Sequence, residues 1–418
     1  MTEKIIALTI FVACYALLIS RKVKIAYVSL GAALLLVLLG VVSHKAAICD
    51  SISWDVLGIY WGFMMVSMIF SESNIPALIV AKVVDHARRE KYVIVYLAAI
   101  TAFLSAFMEN VGAVLMAAPI AVELSKKLKT SLLPYMITVA VSANAVTTMT
   151  MIADPPALIL AISTRMGFFD FYWFQGRLSL GVITLFGVVA ALGSLLIIFR
   201  RFNKHVKLPE EKVKVKTLPL LIFVGAVMSL AFVPHLGLRH GPGLVGLAAG
   251  LLSLAVARKK AFHMLKEFDW NSLLFITGIF VVISSLEITG LLTDFVNVIG
   301  GLGIANASVM LAIIIWTSVA ASSFIDNVPF LAAMLPVAIS VSGKLGINPS
   351  LLLFGLLIGA SLGGNITPIG ASANIVACGI LKKEGHDVSF THFMKIGIPF
   401  TLAAVTAAYL FIWFIWSK

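Results

Sequence analysis

Three acids, Glu109, Asp154 and Asp326, stand inside long apolar stretches of the 418-residue sequence, each followed directly by an amide or a proline. An acid at mid-membrane costs about 2.5 kcal/mol or more, so these positions suggest proton exchange, cation binding or a structural cap. Asn110 follows Glu109, Asn327 follows Asp326, and Pro155 and Pro156 follow Asp154. Asn144, Thr147, Thr148, Thr150, Asn365, Thr367, Ser372 and Asn374 add neutral donors and acceptors in the same stretches. Asp154 before Pro155 and Thr367 before Pro368 each read as an N-cap with proline in the first helical turn. Each would start a half-helix inside the membrane, its free N–H groups and positive dipole end aimed at the centre, a geometry suited to an anion or oxyanion. The carbonyls ending the preceding half-helices suit a cation or a proton-bearing ligand. Plainer roles stay open beside these. Asp154 could be a cap alone, Asn110 and Asn327 could close turns, Glu109 and Asp326 could sit at aqueous ends, and Asn365 and Asn374 could be packing amides. The interrupted stretches place no Lys or Arg to pair with Asp154 or Asp326. At least one of the three acids is therefore expected to exchange a proton or bind Na⁺, with Asp326 the first choice and Asp154 the second.

The elements that must carry these residues are apolar runs. Two of them, 92–124 and 306–343, are too long for one span and are interrupted at Glu109-Asn110 and Asp326-Asn327, which predicts re-entrant helical hairpins with tips inside the membrane. Two more, 131–164 and 349–381, are broken by Asp154-Pro155-Pro156 and by the stretch from Gly363 to Gly370. Proline removes a backbone donor and glycine loosens a helix, so each reads as two half-helices around an unwound middle. The pattern repeats at an offset of 217 (326 − 109), which also pairs Asn110 with Asn327, Pro119 with Pro336 and Thr150 with Thr367. Trp54 and Gly62 match Trp270 and Gly278 at 216. The expected architecture is an all-α polytopic membrane protein of two inverted repeats, 1–199 and 217–418, joined by the basic stretch 200–216. Each repeat would hold about five transmembrane helices, one re-entrant hairpin and one broken helix.

Composition agrees with lipid as the main solvent. The chain is 61% hydrophobic and only 12% charged, with mean hydropathy +1.06, against about 25% charged for a soluble domain. The net charge of +12 does not indicate nucleic acid, because the charges sit in short loops between apolar runs. With five crossings per half, one face collects most of the 31 Lys and Arg, including Arg88, Arg201 and Lys259. The positive-inside rule makes that face cytoplasmic, which puts both termini, Cys49 and the 235–240 loop outside a cytoplasmic membrane. The three cysteines are scattered and suggest neither a disulfide framework nor a metal site. No P-loop or hydrolase motif is present, so an enzyme is not expected. Matched helix breaks in two halves point to a transporter site.

Residues Ser323 to Pro329, Gly359 to Asn374 and Ile152 to Pro156 resemble the ion transporter superfamily. The nearest branch is that of the arsenite efflux permeases, with their pink-eyed-dilution-type and NhaD-type antiporter relatives; the divalent-anion/sodium symporters are more distant. The resemblance implies elevator-like alternating access, a homodimer, H⁺ or Na⁺ as coupling ion with no other cofactor, and binding residues at the tips Asn110 and Asn327 and in the loops 150–156 and 365–374. A Na⁺ set of Asn110, Asp154, Asn327 and Asn374 fits that pattern. The tips read Glu-Asn-Val and Asp-Asn-Val rather than the symporters' Ser-Asn-Thr, which favours the acid-tipped branch. Ala157 stands where relatives carry the amide that Asn374 supplies in the second half. The implied function is proton- or sodium-coupled export of a small inorganic ion or oxyanion, arsenite or antimonite first, with a peripheral ATPase as partner if the chain is an arsenite pump. The alternatives are a Na⁺/H⁺ antiporter and a sodium-coupled dicarboxylate or citrate transporter.

Overall fold

In a computed structural model of the chain, residues 2–20, 22–75, 78, 89–204, 215–233, 240–294 and 306–417 are described. Arg88, the linker residues 205–214 and positions 235–239 lie outside them. The long helices of the first half are α1 (Thr2–Ser20), α2 (Ile25–Leu38), α3 (Trp54–Ser71), α4 (Glu90–Ser105), α5 (Asn110–Leu128), α6 (Leu133–Ala145), α7 (Pro155–Thr164) and α8 (Leu180–Ile198). Those of the second half are α9 (Leu218–Phe232), α10 (Gly241–Ala257), α11 (Trp270–Ile288), α12 (Ala307–Ser322), α13 (Asn327–Leu345), α14 (Pro349–Gly363), α15 (Ser372–Lys383) and α16 (Phe390–Trp416). The only sheet among the described residues is a two-stranded ribbon, Trp173–Phe174 against Arg177–Leu178. Eight described helices are long and apolar enough to cross a membrane, and large apolar side chains such as Leu251, Ile197 and Phe414 stay exposed along them. That surface requires lipid rather than water.

The helices correspond one to one, seven pairs starting 216 or 217 residues apart and α16 starting 210 after α8, and they pack across the halves. α3 lies along α10, and α11 lies along α2. Gly58 and Gly62 make the first crossing close: a Cβ on Gly58 would stand 2.7 Å from the Gly243 carbonyl oxygen, and one on Gly62 would overlap the Gly246 backbone. At the second crossing a Cβ on Gly278 would come within 2.6 Å of the Ser29 backbone. Small residues at these points let backbones approach where lipid supplies no hydrophobic drive for association. Asp55 accepts a bond from the Gly243 amide at 2.8 Å, and Asn271, its partner at offset 216, accepts one from the Ala26 amide at 3.3 Å. Each α3-type helix thus caps the α2-type helix of the other half.

The long run 92–124 resolves into α4 and α5, which continue to Leu128, and 306–343 resolves into α12 and α13. Pro119 and Pro336 lie inside α5 and α13. The broken segments resolve into α6 and α7 around residues 146–154, and α14 and α15 around 364–371. One expectation fails here. The second half-helix of the later break starts at Ser372, with Ala371 at the N-cap, and not at Pro368. The Thr367 hydroxyl donates instead to the Ser323 carbonyl at 2.5 Å, and Gly364 and Gly370 fold back into backbone contact. Thr150 donates to the Ala106 carbonyl in the same way. Both hydroxyls tie an unwound loop to the neighbouring hairpin turn.

Candidate functional site

Both hairpin tips are N-capped by their own acids. Glu109 accepts a bond from the Gly112 amide at 3.1 Å, and Asp326 accepts one from the Val328 amide at 3.2 Å. A carboxylate at an N-cap satisfies an orphan N–H and complements the helix dipole, so α5 and α13 begin at the tips. Asp154 behaves differently. It occupies the N-cap position of α7, but its side chain makes no capping bond. Its Oδ2 accepts from Asn327 Nδ2 at 2.8 Å. The plain cap reading of Asp154 therefore gives way to a side-chain bridge between the first break and the second hairpin tip.

Glu109, Asn110, Asp154, Asp326, Asn327 and Ser372 line one cavity of about 280 Å³. Its other walls include Tyr60 and Met64 of α3, Glu267, and the start of α11 with Asp269, Asn271, Ser272 and Phe275. None of the described residues lining it is a lysine or arginine. Two unit charges about 4 Å apart interact by about 4 kcal/mol at an effective dielectric of 20. A full set of ionised carboxylates around so small a space calls for protons or cations to offset it. Among the described residues, no three His, Cys, Asp or Glu side chains converge closely enough to hold a metal ion.

The other expected residues do different work. Asn110 Nδ2 donates to Asn144 Oδ1, and Asn144 Nδ2 donates to Asn365 Oδ1 and Asn374 Oδ1, all at 2.9 Å. Asn365 Nδ2 donates to the Val141 carbonyl at 3.0 Å, and Asn374 Nδ2 donates to the Gly364 and Thr367 carbonyls at 2.9 Å. Asn144, Asn365 and Asn374 are almost wholly buried, at 2%, 0% and 0% exposure, and none lines the cavity. They bind the two broken helices to each other, with only Asn110 reaching solute space. Of the expected Na⁺ set, Asn110, Asp154 and Asn327 line the cavity, while Asn374 lies behind it, bonded to backbone carbonyls and Asn144. Thr148 also lies away from the cavity lining, and its hydroxyl shares a 2.7 Å bond with Thr184 on α8. Thr150 and Thr367 hold loops and do not face the cavity. Ala157 is fully buried, so the amide cluster is one-sided between the halves.

Asn144→Ala is expected to destabilise the protein strongly, since it strands amide groups on Asn110, Asn365 and Asn374 at about 1–3 kcal/mol each. Thermal unfolding of detergent-purified protein should show a Tm lower by several degrees. An unchanged Tm would mean that the amide network contributes nothing to stability.

Sequence reasoning did not reach Tyr60, Met64, Asp269, Asn271 and Ser272, which lie outside the interrupted stretches. The available signal was Asp269 before Trp270, a polar helix start at the edge of an apolar run.

The sequence profile of the citrate transporter family, CitMHS, matches residues 15–344 and 331–418. The chain belongs to the citrate transporter family. This family lies in the ion transporter superfamily, so the protein is a secondary transporter and not an enzyme. An uncharacterized transporter of Mycobacterium tuberculosis is 30% identical, with 98% of each chain covered. The 46 kDa membrane protein of Mycobacterium leprae is 26% identical over 98% of both chains, in keeping with a multi-pass membrane protein. The human P protein is 26% identical over 97% of this chain and 59% of its own length. In fold, this member of the citrate transporter family is similar to the YdaH transporter of Alcanivorax borkumensis, at a TM-score of 0.56 and 14% identity over 91% of this chain and 88% of that one. It is equally similar to MtrF of Neisseria gonorrhoeae, described as an antimetabolite efflux pump, at 0.56 and 12% over 91% and 84%.

Proposed function

We propose that the chain is a proton- or sodium-coupled secondary transporter that exports a small inorganic solute through the cavity between its hairpin tips. The observation carrying this reading is the acid lining of that cavity, free of lysine and arginine among the described residues. Such a lining repels a free polyanion. It suits a coupling proton or cation together with a neutral, hydroxylated solute that bonds to carboxylates and to Asn110 and Asn327. Arsenite and antimonite, uncharged as their trihydroxides near neutral pH, are the leading solutes. The family's name favours a second reading, citrate transport. In this cavity citrate would have to enter with its charge offset by protons or cations.

The architecture that goes with this function is a pair of inverted repeats, 1–199 and 217–418, joined by 200–216. The two hairpins are re-entrant, and an elevator-like displacement carries the tips past α3 and α11. The one-to-one helix correspondence and the cross-half packing support it. The basic cluster Arg258, Lys259, Lys260 and Lys266 lies just before Asp269, at the start of α11. By the positive-inside rule the cavity is then open to the cytoplasm and both termini are outside. Exposed Cys49 should react with a membrane-impermeant maleimide in intact cells, whereas a cysteine placed at Arg201 or Lys259 should react only after permeabilisation. Labelling at position 201 from outside would overturn the orientation.

The function is tested by flux in proteoliposomes, with arsenite, antimonite, Na⁺, citrate and succinate each offered under imposed pH and Na⁺ gradients. Arsenite or antimonite flux driven by either gradient supports the first reading. Gradient-driven citrate flux with no flux of the other solutes replaces it with the second.

A further inference from the structure

Two of the carboxylates on the cavity wall, Glu267 and Asp269, belong to the segment leading into α11 rather than to a hairpin or a broken helix. Asp269 is held rigidly. As the N-cap of α11 it accepts from the Ser272 amide at 3.1 Å, and its second oxygen accepts from the Ser272 hydroxyl. It lines the same small cavity as Glu109 and Tyr60. The offset of 216 that pairs Trp54 with Trp270 pairs Ser53 with Asp269. Ser53 is the N-cap of α3 and makes no side-chain capping bond. Serine and asparagine cap helices as well as aspartate does, so capping alone does not call for a charge at one end of the framework and a hydroxyl at the other.

We infer that Asp269 is a positioning residue for coupled transport: a fixed carboxylate that raises the affinity of Glu109 for the coupling proton or cation while the cavity faces the α11 end. The inference rests on the cation-coupled transport proposed above. The titratable groups facing Asp269 are Glu109, Asp154 and Asp326 at the tips and break, Tyr60 on α3, and Glu267 beside it, which pairs with His263 at 3.1 Å. An ionised Glu109 in the same small cavity as Asp269 puts like charges around one space, and a proton or Na⁺ on Glu109 removes the repulsion. Once the hairpins move towards the α3 end, Ser53 offers no equivalent charge. The two faces of the membrane then differ in apparent affinity for the coupling ion, and the difference lies in one residue of the framework.

The test compares inside-out and right-side-out membrane vesicles, measuring flux against pH or Na⁺ on each face. Asp269→Asn keeps the cap and removes the charge. It should lower the pH midpoint on the cytoplasmic face by about one unit, or raise the half-saturating Na⁺ there by about tenfold, with the external midpoint unchanged. Ser53→Asp should tighten the external response by a similar factor through Asp326, the offset partner of Glu109, and leave the cytoplasmic one as it was. The inference is overturned if Asp269→Asn leaves the cytoplasmic midpoint at the wild-type value or moves both faces equally. Should that variant not fold, an unmoved external midpoint in Ser53→Asp overturns it instead. A wild-type protein whose flux ignores both gradients overturns the proposed coupling itself, an outcome readable before any variant is made.

Discussion

Asp154→Asn is expected to cut gradient-driven flux by about tenfold while the protein still folds. The side chain is buried, at 8% exposure, and it accepts a 2.8 Å bond from Asn327 Nδ2. It caps no backbone amide, so an isosteric amide in its place strands no helix terminus, and its Oδ1 can still accept from Asn327. What disappears is the negative charge between the first break and the second tip, where a side-chain bond joins an unwound loop to the opposite hairpin. Hydrogen bonds to a charged group are worth about 1.5–3 kcal/mol. A neutral bond in its place is worth about 0.5–1.5 kcal/mol, and a difference of about 1.4 kcal/mol corresponds to about one decade in rate. Asp326→Asn and Glu109→Gln serve as comparisons. Both residues also cap their hairpin helices, so their losses mix stability with coupling. Flux against pH in proteoliposomes, beside a melting curve for each variant, separates the two. Should Asp154→Asn keep the wild-type rate and pH profile, Asp154 is structural and the coupling group lies elsewhere in the cavity.

Gly62→Leu should prevent assembly of the framework, a larger stability effect than any single polar substitution in the cavity. A Cβ at Gly62 would already overlap the Gly246 backbone, and one at Gly246 would come within 2.6 Å of the Ile59 Cα. No rotamer relieves a clash between two main chains, so α3 and α10 must separate along their crossing. Even ordinary overpacking costs about 1–3 kcal/mol, and this contact allows no side-chain adjustment. The expected result is loss of monodisperse protein on size-exclusion chromatography in detergent, with Gly62→Ala lowering Tm to a smaller extent. Gly193 on α8 is the control. Nothing lies within 4 Å of a Cβ built there, and Gly→Ala in a helix interior gains up to about 1 kcal/mol in propensity. Gly193→Ala should leave Tm unchanged or raise it. Equal behaviour of the two alanine variants would refute the close-packed crossing.

Much of this was legible from residue types. Glu109-Asn110 and Asp326-Asn327 marked the hairpin turns, because an acid followed by an amide inside an apolar run has few other uses, and Asp154-Pro155 marked the first break. The common offset of these features carried the repeat. The second break was misread at Pro368. Proline at N1 is a local signal, whereas the start at Ser372 depends on Thr367 being drawn to Ser323, a residue 44 positions away.

The sequence alone determined that the chain lives in lipid, where its helices break, and which acids lie near the breaks, since these follow from hydropathy and from the backbone chemistry of proline, glycine and N-caps. Only the tertiary structure decided what each polar side chain faces. Asn144, Asn365 and Asn374 look like ligands in one dimension, yet they saturate one another across the halves. Asp269, which looks like an ordinary cap, stands on the wall of the cavity that Glu109 also lines. A buried amide satisfies its donors and acceptors with whatever the fold brings within about 3 Å, and those partners lie as many as 230 residues away along the chain.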